Sequence, residues 1–217
     1  MECIYLHGFA SGPKSEKAIY FFEHLRRTNI EVVIPDLNLP SFQKMTLSSQ
    51  LQIAENLLEG KSEKSILLFG SSMGGLLSTL LSLKHPAVAG LVLLAPGFGL
   101  ERRWQSFWGD DALERWRRDG YMEVHHYAYD KEMKLDVTFL DDALKYKTDG
   151  LIVSVPSLVV HGERDDVVPV EESRRFAEDN RQLVDLHILN DDHFLMADLD
   201  GIWALVKNHL DSRLKAR

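Results

Sequence analysis

The sequence predicts an α/β domain with a doubly wound, mostly parallel sheet of six strands. Short apolar runs alternate with longer amphipathic stretches along the chain, the pattern of strands separated by crossover helices. Most of these runs are Val, Ile and Leu throughout instead of alternating with polar residues, as strands buried on both faces do. The length of 217 residues suits a single domain, against about 150 residues for an average one. With 45% hydrophobic and 27% charged residues the chain is an ordinary globular mixture. This composition excludes disorder, collagen and coiled coil.

Taken in order, 2–6 reads as the first strand, followed by a loop over 7–15. The stretch 16–28 reads as a helix with Ile19, Phe22, Leu25 and Arg26 on its inner face. A second strand over 31–35 is followed by a helix over 46–58, with Leu47, Leu51, Ala54 and Leu58 on one side. A third strand over 65–69 leads into a helix over 73–84, stopped by His85-Pro86. The fourth strand is 88–94, the fifth 157–160 and the sixth 184–189. Helices over 171–180 and 199–214 close the pattern. The region 97–150 breaks the alternation and reads as a lid-like helical or irregular insertion over the sheet's carboxyl edge. It holds three of the four tryptophans (Trp104, Trp108 and Trp116), with Phe107, Tyr121, Tyr127 and Tyr129. Short helices are expected over 101–107, 110–118 and 138–147.

Several function classes fall away on composition. Lys and Arg number 25 against 33 Asp and Glu, a net charge of −8, which repels phosphate backbones and argues against nucleic acid as a partner. The one cysteine, Cys3, allows neither an internal disulfide nor a Cys-based zinc site, and reads as a core thiol. No His-Glu-x-x-His zinc motif is present. No basic stretch precedes a long apolar run, and no run reaches the ~18 residues of a membrane span, so a cytoplasmic location is expected. Gly60-Lys61-Ser62 looks like the tail of a phosphate-binding loop, but position 55 is Glu where that loop needs glycine.

In a sheet of this kind ligands bind beyond the carboxyl ends of the strands. The turn after the third strand is Gly70-Ser71-Ser72-Met73-Gly74. Gly-x-Ser-x-Gly at a strand-to-helix junction is a tight turn that pushes the central hydroxyl, here Ser72, into the open, with small residues two before and two after it. A serine hydroxyl needs a general base, and the base an orienting acid. On such a sheet they follow in the order Ser, Asp or Glu, His. Asp165 lies just after the fifth strand and His193 just after the sixth. Asp166 competes for the acid's role, while Asp191 and Asp192 read as caps near His193. His7 and His161, each before a glycine at a strand end, read as loop braces; His125-His126 has no partner pattern. An oxyanion would need two backbone N–H donors. Met73, opening a helix, and Phe9, in the loop after the first strand, are the candidates. Arg102, Arg103, Arg115, Arg117 and Arg118 alternate with acids and read as a solvated helix face more than as a site for an anionic substrate such as a coenzyme A thioester.

His7-Gly8-Phe9, Gly70-x-Ser72-x-Gly74, His161-Gly162-x-x-Asp165-x-Val-Val-Pro169 and the late His193 resemble the α/β-hydrolase superfamily. Within it the chain is similar to the small bacterial serine esterases and thioesterases that begin at the His-Gly strand. The resemblance runs from about Ile4 to the C-terminal helix; the insertion carries none of it. The leading antiparallel strands of larger relatives are expected to be absent. The resemblance implies a hydrolase of small to medium acyl esters or thioesters, with Ser72, His193 and Asp165 as its triad and neither metal nor organic cofactor. The same triad would also serve an acyltransferase, and the fold alone would serve a non-catalytic binding protein.

Overall fold

The computed structural model describes residues 1–214, without the side chains of 104–107 and 213–214. Trp104 and Phe107 therefore lie outside the described side chains. In chain order the elements are β1 (Glu2–Leu6), α1 (Glu16–Arg26), β2 (Glu31–Val33), α2 (Leu47–Leu58), β3 (Ile66–Ser71), α3 (Met73–Ser82) and β4 (Val88–Leu94). Then come α4 (Leu100–Trp108), α5 (Asp110–Asp119), β5 (Tyr121–His126), β6 (Lys131–Asp136), α6 (Thr138–Ala143), β7 (Ser157–Gly162), α7 (Val170–Asp179), β8 (Val184–Leu189) and α8 (Leu199–His209). A π-helical turn, Leu210–Leu214, follows α8.

The main sheet has six strands in the order β2-β1-β3-β4-β7-β8. Every pairing in it is parallel, so the sheet is wholly and not just mostly parallel. From β1 the chain steps outward to β2, then crosses back to β3. This reversal opens a crevice at the carboxyl ends of β1 and β3, where a doubly wound sheet binds its ligands.

Side chains alternate between two cores as strand geometry requires. Ile4, Leu6, Leu68, Leu91 and Leu93 face α2, α3 and the insertion, joining Leu51, Leu77, Phe139 and Trp116. Cys3, Tyr5, Phe69, Val92 and Leu94 face α1 and α8, joining Phe21, Leu25, Ile202 and Val206. Burial pushes the Cys3 thiol pKa up, as suits an inert core residue. The face read for the second helix holds, with Leu47, Leu51, Ala54 and Leu58 all buried. The face read for α1 does not. Ala18, Phe21 and Leu25 are buried, while Ile19 is 45% exposed. Phe21 sets the rotation by packing on Phe69 at a ring separation of 4.7 Å.

The insertion differs most from the sequence reading. Its centre is neither helical nor irregular: β5 and β6 form an antiparallel hairpin, with Tyr121 opposite Asp136 and His126 opposite Lys131. Alternation does mark it in retrospect, since Val124, His126 and Leu135 are buried between more exposed neighbours. The helix read over 138–147 ends at Ala143. Beyond it the chain is anchored to α2, where Ser48 Oγ donates to Asp142 and lies 2.6 Å from the Tyr146 hydroxyl. Trp116 is buried and donates its indole N–H to the Leu135 carbonyl at 3.0 Å, clamping α5 to the hairpin. Trp116→Ala is expected to cost about 3–5 kcal/mol in urea unfolding, the usual range for a large buried aromatic. A loss under about 1 kcal/mol would mean that the insertion does not belong to the cooperative core.

Candidate active site

The turn after β3 is the tightest point of the fold. Ser72 has φ 54° and ψ −117° and caps α3. A non-glycine residue held there costs about 1–3 kcal/mol, so the surroundings must over-determine it. They do. Ser72 N–H donates to the Leu94 carbonyl at 2.8 Å, and its carbonyl accepts from Gly75 and Gly97, each at 2.9 Å. A Cβ on Gly70 would overlap the Gly74 carbonyl, and one on Gly74 would overlap the Leu6 carbonyl at the end of β1. Small residues are therefore required where the strand, the turn and α3 cross.

Three residues from three separate loops meet at this point. His193 Nε2 lies 2.9 Å from Ser72 Oγ, and His193 Nδ1 lies 2.7 Å from Asp165 Oδ2. The carboxylate can only accept, so Nδ1 carries the proton and the Nε2 lone pair faces the hydroxyl. Asp165, not Asp166, makes the contact; Asp166 is exposed. The Asp165 side chain is fully buried and nearly every site on it is used. Oδ1 accepts the Val167 and Val168 N–H groups at 2.9 and 2.7 Å, and Oδ2 also faces His161 Nε2 at 3.0 Å. Burial alone would raise its pKa. Hydrogen bonds from His161 and His193, with the Val168 N–H, outweigh burial and hold it well below the usual carboxylate range.

The loops are positioned as firmly as the side chains. Asp191 accepts from the Asp192 and Ala197 N–H groups and Asp192 from that of Phe194, so both acids shape the loop presenting His193. A Cβ at Gly162 would meet the carbonyls of Asp191 and Asp192, which brings the β7 and β8 loops together. His7 braces as read. It donates through Nδ1 to the Gly8 carbonyl at 2.9 Å, and its Nε2 accepts the Leu37 N–H at 3.0 Å. The loop it steadies packs on Ser72, since a Cβ on Gly8 would stand 3.3 Å from Ser72 Cβ. Phe9 and Met73 both line the space beside Ser72. Met73 begins α3, so its N–H has no carbonyl partner within the helix.

Two spaces open on Ser72. One is an apolar cavity of about 90 Å³ walled by Phe9, Met73, Leu100, Trp108 and Phe139. The other is a cleft of about 900 Å³ lined by Ser72, His193, Phe194, Tyr127 and two lysines, Lys14 and Lys17. Leu100, Trp108, Tyr127 and Phe139 come from the insertion, which therefore walls both. Sequence reasoning missed several contributors. His161 was read only as a loop brace, which it is through Ser173 Oγ at 2.7 Å and the Val168 carbonyl at 2.9 Å; it also touches the Asp165 carboxylate. Arg103 is not on a solvated face. Its guanidinium donates to the Val167 and Phe98 carbonyls and lines the cavity. Arg102 pairs with Glu172 and Asp149. Arg115, Arg117 and Arg118 are exposed, as read. Among the described residues no group of three or more His, Cys, Asp or Glu side chains could hold a metal ion. Among them, too, no helix is long and apolar enough to cross a membrane.

The chain belongs to the uncharacterised protein family UPF0227, whose model matches residues 2–207. No curated protein matches it in sequence. It is similar in structure to Est1E from Butyrivibrio proteoclasticus, solved with ferulic acid bound. That similarity has 19% identity and a TM-score of 0.82 over 100% of this chain and 90% of the other. It is also similar to alpha/beta hydrolase domain-containing protein 10 from mouse, at 20% identity and a TM-score of 0.79 over 97% of this chain and 89% of that one. A third is the alpha/beta hydrolase GrgF from Penicillium sp. sh18, at 16% identity and a TM-score of 0.74 over 98% and 90% of the two chains. The architecture is the α/β-hydrolase fold.

The crossing at Ser72 gives a direct test. Gly74→Ala is expected to destabilise the fold by several kcal/mol, because the new Cβ meets rigid backbone. Gly12→Ala, whose Cβ would stand 3.5 Å from Ala128 Cβ, is expected to change stability by under about 1 kcal/mol. Equal unfolding midpoints for the two variants would refute the steric account.

Proposed function

We propose that this protein is a serine hydrolase that cleaves carboxylic esters or thioesters of small to medium acyl groups through an acyl-enzyme on Ser72. The observation that carries the reading is the unbroken relay from Ser72 Oγ to His193 to Asp165, at 2.9 and 2.7 Å, beside an apolar cavity.

In this reading Ser72 Oγ attacks the acyl carbonyl carbon while its proton passes to His193 Nε2. The carbonyl oxygen takes up negative charge and is held by the Phe9 and Met73 N–H groups, helped by the N-terminal dipole of α3. The bond to the leaving oxygen or sulfur then breaks, and that atom takes the proton from His193. Water enters, gives a proton to His193 and attacks the acyl carbon. Ser72 leaves with that proton and the acid is released. Asp165 keeps His193 in the tautomer that accepts at Nε2 and stabilises the imidazolium. The insertion over 97–150 serves as a cover that walls the acyl group with Leu100, Trp108 and Phe139.

Ser72→Ala is expected to lower kcat on 4-nitrophenyl butyrate by several orders of magnitude with the melting temperature little changed. It should also abolish labelling by a fluorophosphonate. Turnover near that of the unaltered protein would remove Ser72 from the mechanism.

The pH dependence follows from the carboxylate. With its pKa depressed, Asp165 stays ionised through the mildly acidic range. The stability it gives is fully present above its unfolded value of about 4 and is lost as pH falls below that. Only a neutral imidazole can take the Ser72 proton, so kcat/KM should be lower at acid than at neutral pH. A flat kcat/KM profile between pH 5 and 8, with chemistry limiting, would contradict this.

A further inference from the structure

Two spaces meet Ser72, and they differ in size, polarity and neighbours. The leaving group must receive its proton from His193 Nε2, so it has to lie on the His193 side of the tetrahedral carbon. Of these two, the cleft of about 900 Å³ is lined by His193; the cavity of about 90 Å³ is lined by Ser72, mostly apolar side chains and Arg103, whose guanidinium is bonded to the Phe98 and Val167 carbonyls. The acyl group thus belongs in the small cavity and the leaving group in the large cleft.

Two lysines line that cleft, Lys14 at its exposed rim and Lys17 half-buried in its wall. Among the described residues Lys17 makes no side-chain hydrogen bond or ion pair. It stands in the first turn of α1, after the N-cap Ser15. A positive charge at this end of a helix opposes the helix dipole, so helix stability does not account for it. Burial pulls its pKa down to about 8, while the fields of Asp191, Asp192 and Asp165 hold it up, so it is mostly cationic at neutral pH. Lys14, Glu16 and Glu123 also line the cleft and are exposed. Arg103, which lines the small cavity, is committed to two backbone carbonyls, and its neighbour Arg102 to Glu172.

Building on the serine hydrolase reading, we infer that Lys17 selects substrates whose leaving group carries an anionic oxygen group, held in the large cleft while a small apolar acyl group fills the cavity. The anion supplies the partner that the Lys17 ammonium lacks, in a site where water is partly excluded and a charge-assisted hydrogen bond is strong. The acyl side needs no charge, in keeping with walls that are apolar apart from Arg103, whose guanidinium is taken up by two backbone carbonyls.

The test compares two esters with the same acyl group, 4-carboxyphenyl butyrate and its neutral analogue, 4-(methoxycarbonyl)phenyl butyrate. The quantity read is the ratio of their kcat/KM values in each protein. The ratio of a variant to that of the unaltered protein cancels the esters' intrinsic reactivities. Lys17→Gln should lower this preference about tenfold, and Lys17→Arg should keep most of it. A third ester bearing a 4-phosphate tells carboxylate from phosphate recognition. A lysine that only supports the fold would lower both esters by one factor and leave the preference unchanged; that result overturns the inference while the hydrolase reading stands. If Lys17→Gln fails to fold, inhibition of the unaltered protein decides: 4-hydroxybenzoate should inhibit cleavage of the neutral ester more strongly than methyl 4-hydroxybenzoate, and equal inhibition overturns the inference. Cleavage of no ester, with Ser72 unlabelled by a fluorophosphonate, removes the hydrolase reading and this inference together.

Discussion

The site depends on one steric constraint, the crossing of β1, the Ser72 turn and the first turn of α3. The Leu6 carbonyl stands where a Cβ of residue 74 would be, and the Gly74 carbonyl where a Cβ of residue 70 would be. Two glycines let the backbones approach, and the approach forces Ser72 to a φ of 54°. That conformation lifts the hydroxyl off the sheet at the start of α3. The geometry is not held by Ser72 alone. Leu94 at the end of β4 and Gly97 at the start of the insertion both bond its backbone, so the strain is spread over three strands and the chain that leaves the fourth.

The second organising element is a buried charge. A carboxylate with no exposed atoms is tolerated only when its oxygens are satisfied. Asp165 meets this with two backbone N–H groups on one oxygen and two imidazoles on the other. The His161 contact matters because it leaves the carboxylate ionised and fixed, with one direction open toward His193. His161 in turn is held by Ser173 of α7 and the Val168 carbonyl. The acid is thereby anchored to the sheet and to a helix, although it stands on a loop.

What the sequence makes legible follows from which physics is local. Strands buried on both faces leave apolar runs, and a nucleophile turn leaves glycines two residues either side of a serine. Ser72, Asp165 and His193 were readable because each must follow its own strand. The Ile19 and Phe22 face of α1 was not, since its rotation is set by Phe21 seating on Phe69, a contact between distant segments. The hairpin at 121–136 was written in its alternation, but the charges on its outer face masked the pattern. Arg103 looked like one charge among many. Its role depends on the Val167 carbonyl, 64 positions away in the chain, which no pattern in the sequence reveals. Lys17 was equally silent, because a lysine near a helix start looks solvated until the cleft around it is known.

The insertion ties these elements together. Trp116 binds α5 to the hairpin, and the hairpin turn donates the Tyr127 N–H to the Ala10 carbonyl. Ala10 follows Phe9, which lines the space beside Ser72, so the hairpin is bonded to the loop proposed to hold the oxyanion. On its other side Tyr127 meets Phe194, the residue after His193, edge to face at 5.8 Å. The hairpin therefore touches both the loop after β1 and the loop that presents His193, while α4 and α6 wall the apolar cavity beside Ser72. An insertion that contacts the loops on both sides of Ser72 and walls both spaces beside it is more than a crossover between strands. Under the proposed function, changes of sequence within it would alter which acyl and leaving groups fit without disturbing the three strands that carry Ser72, Asp165 and His193.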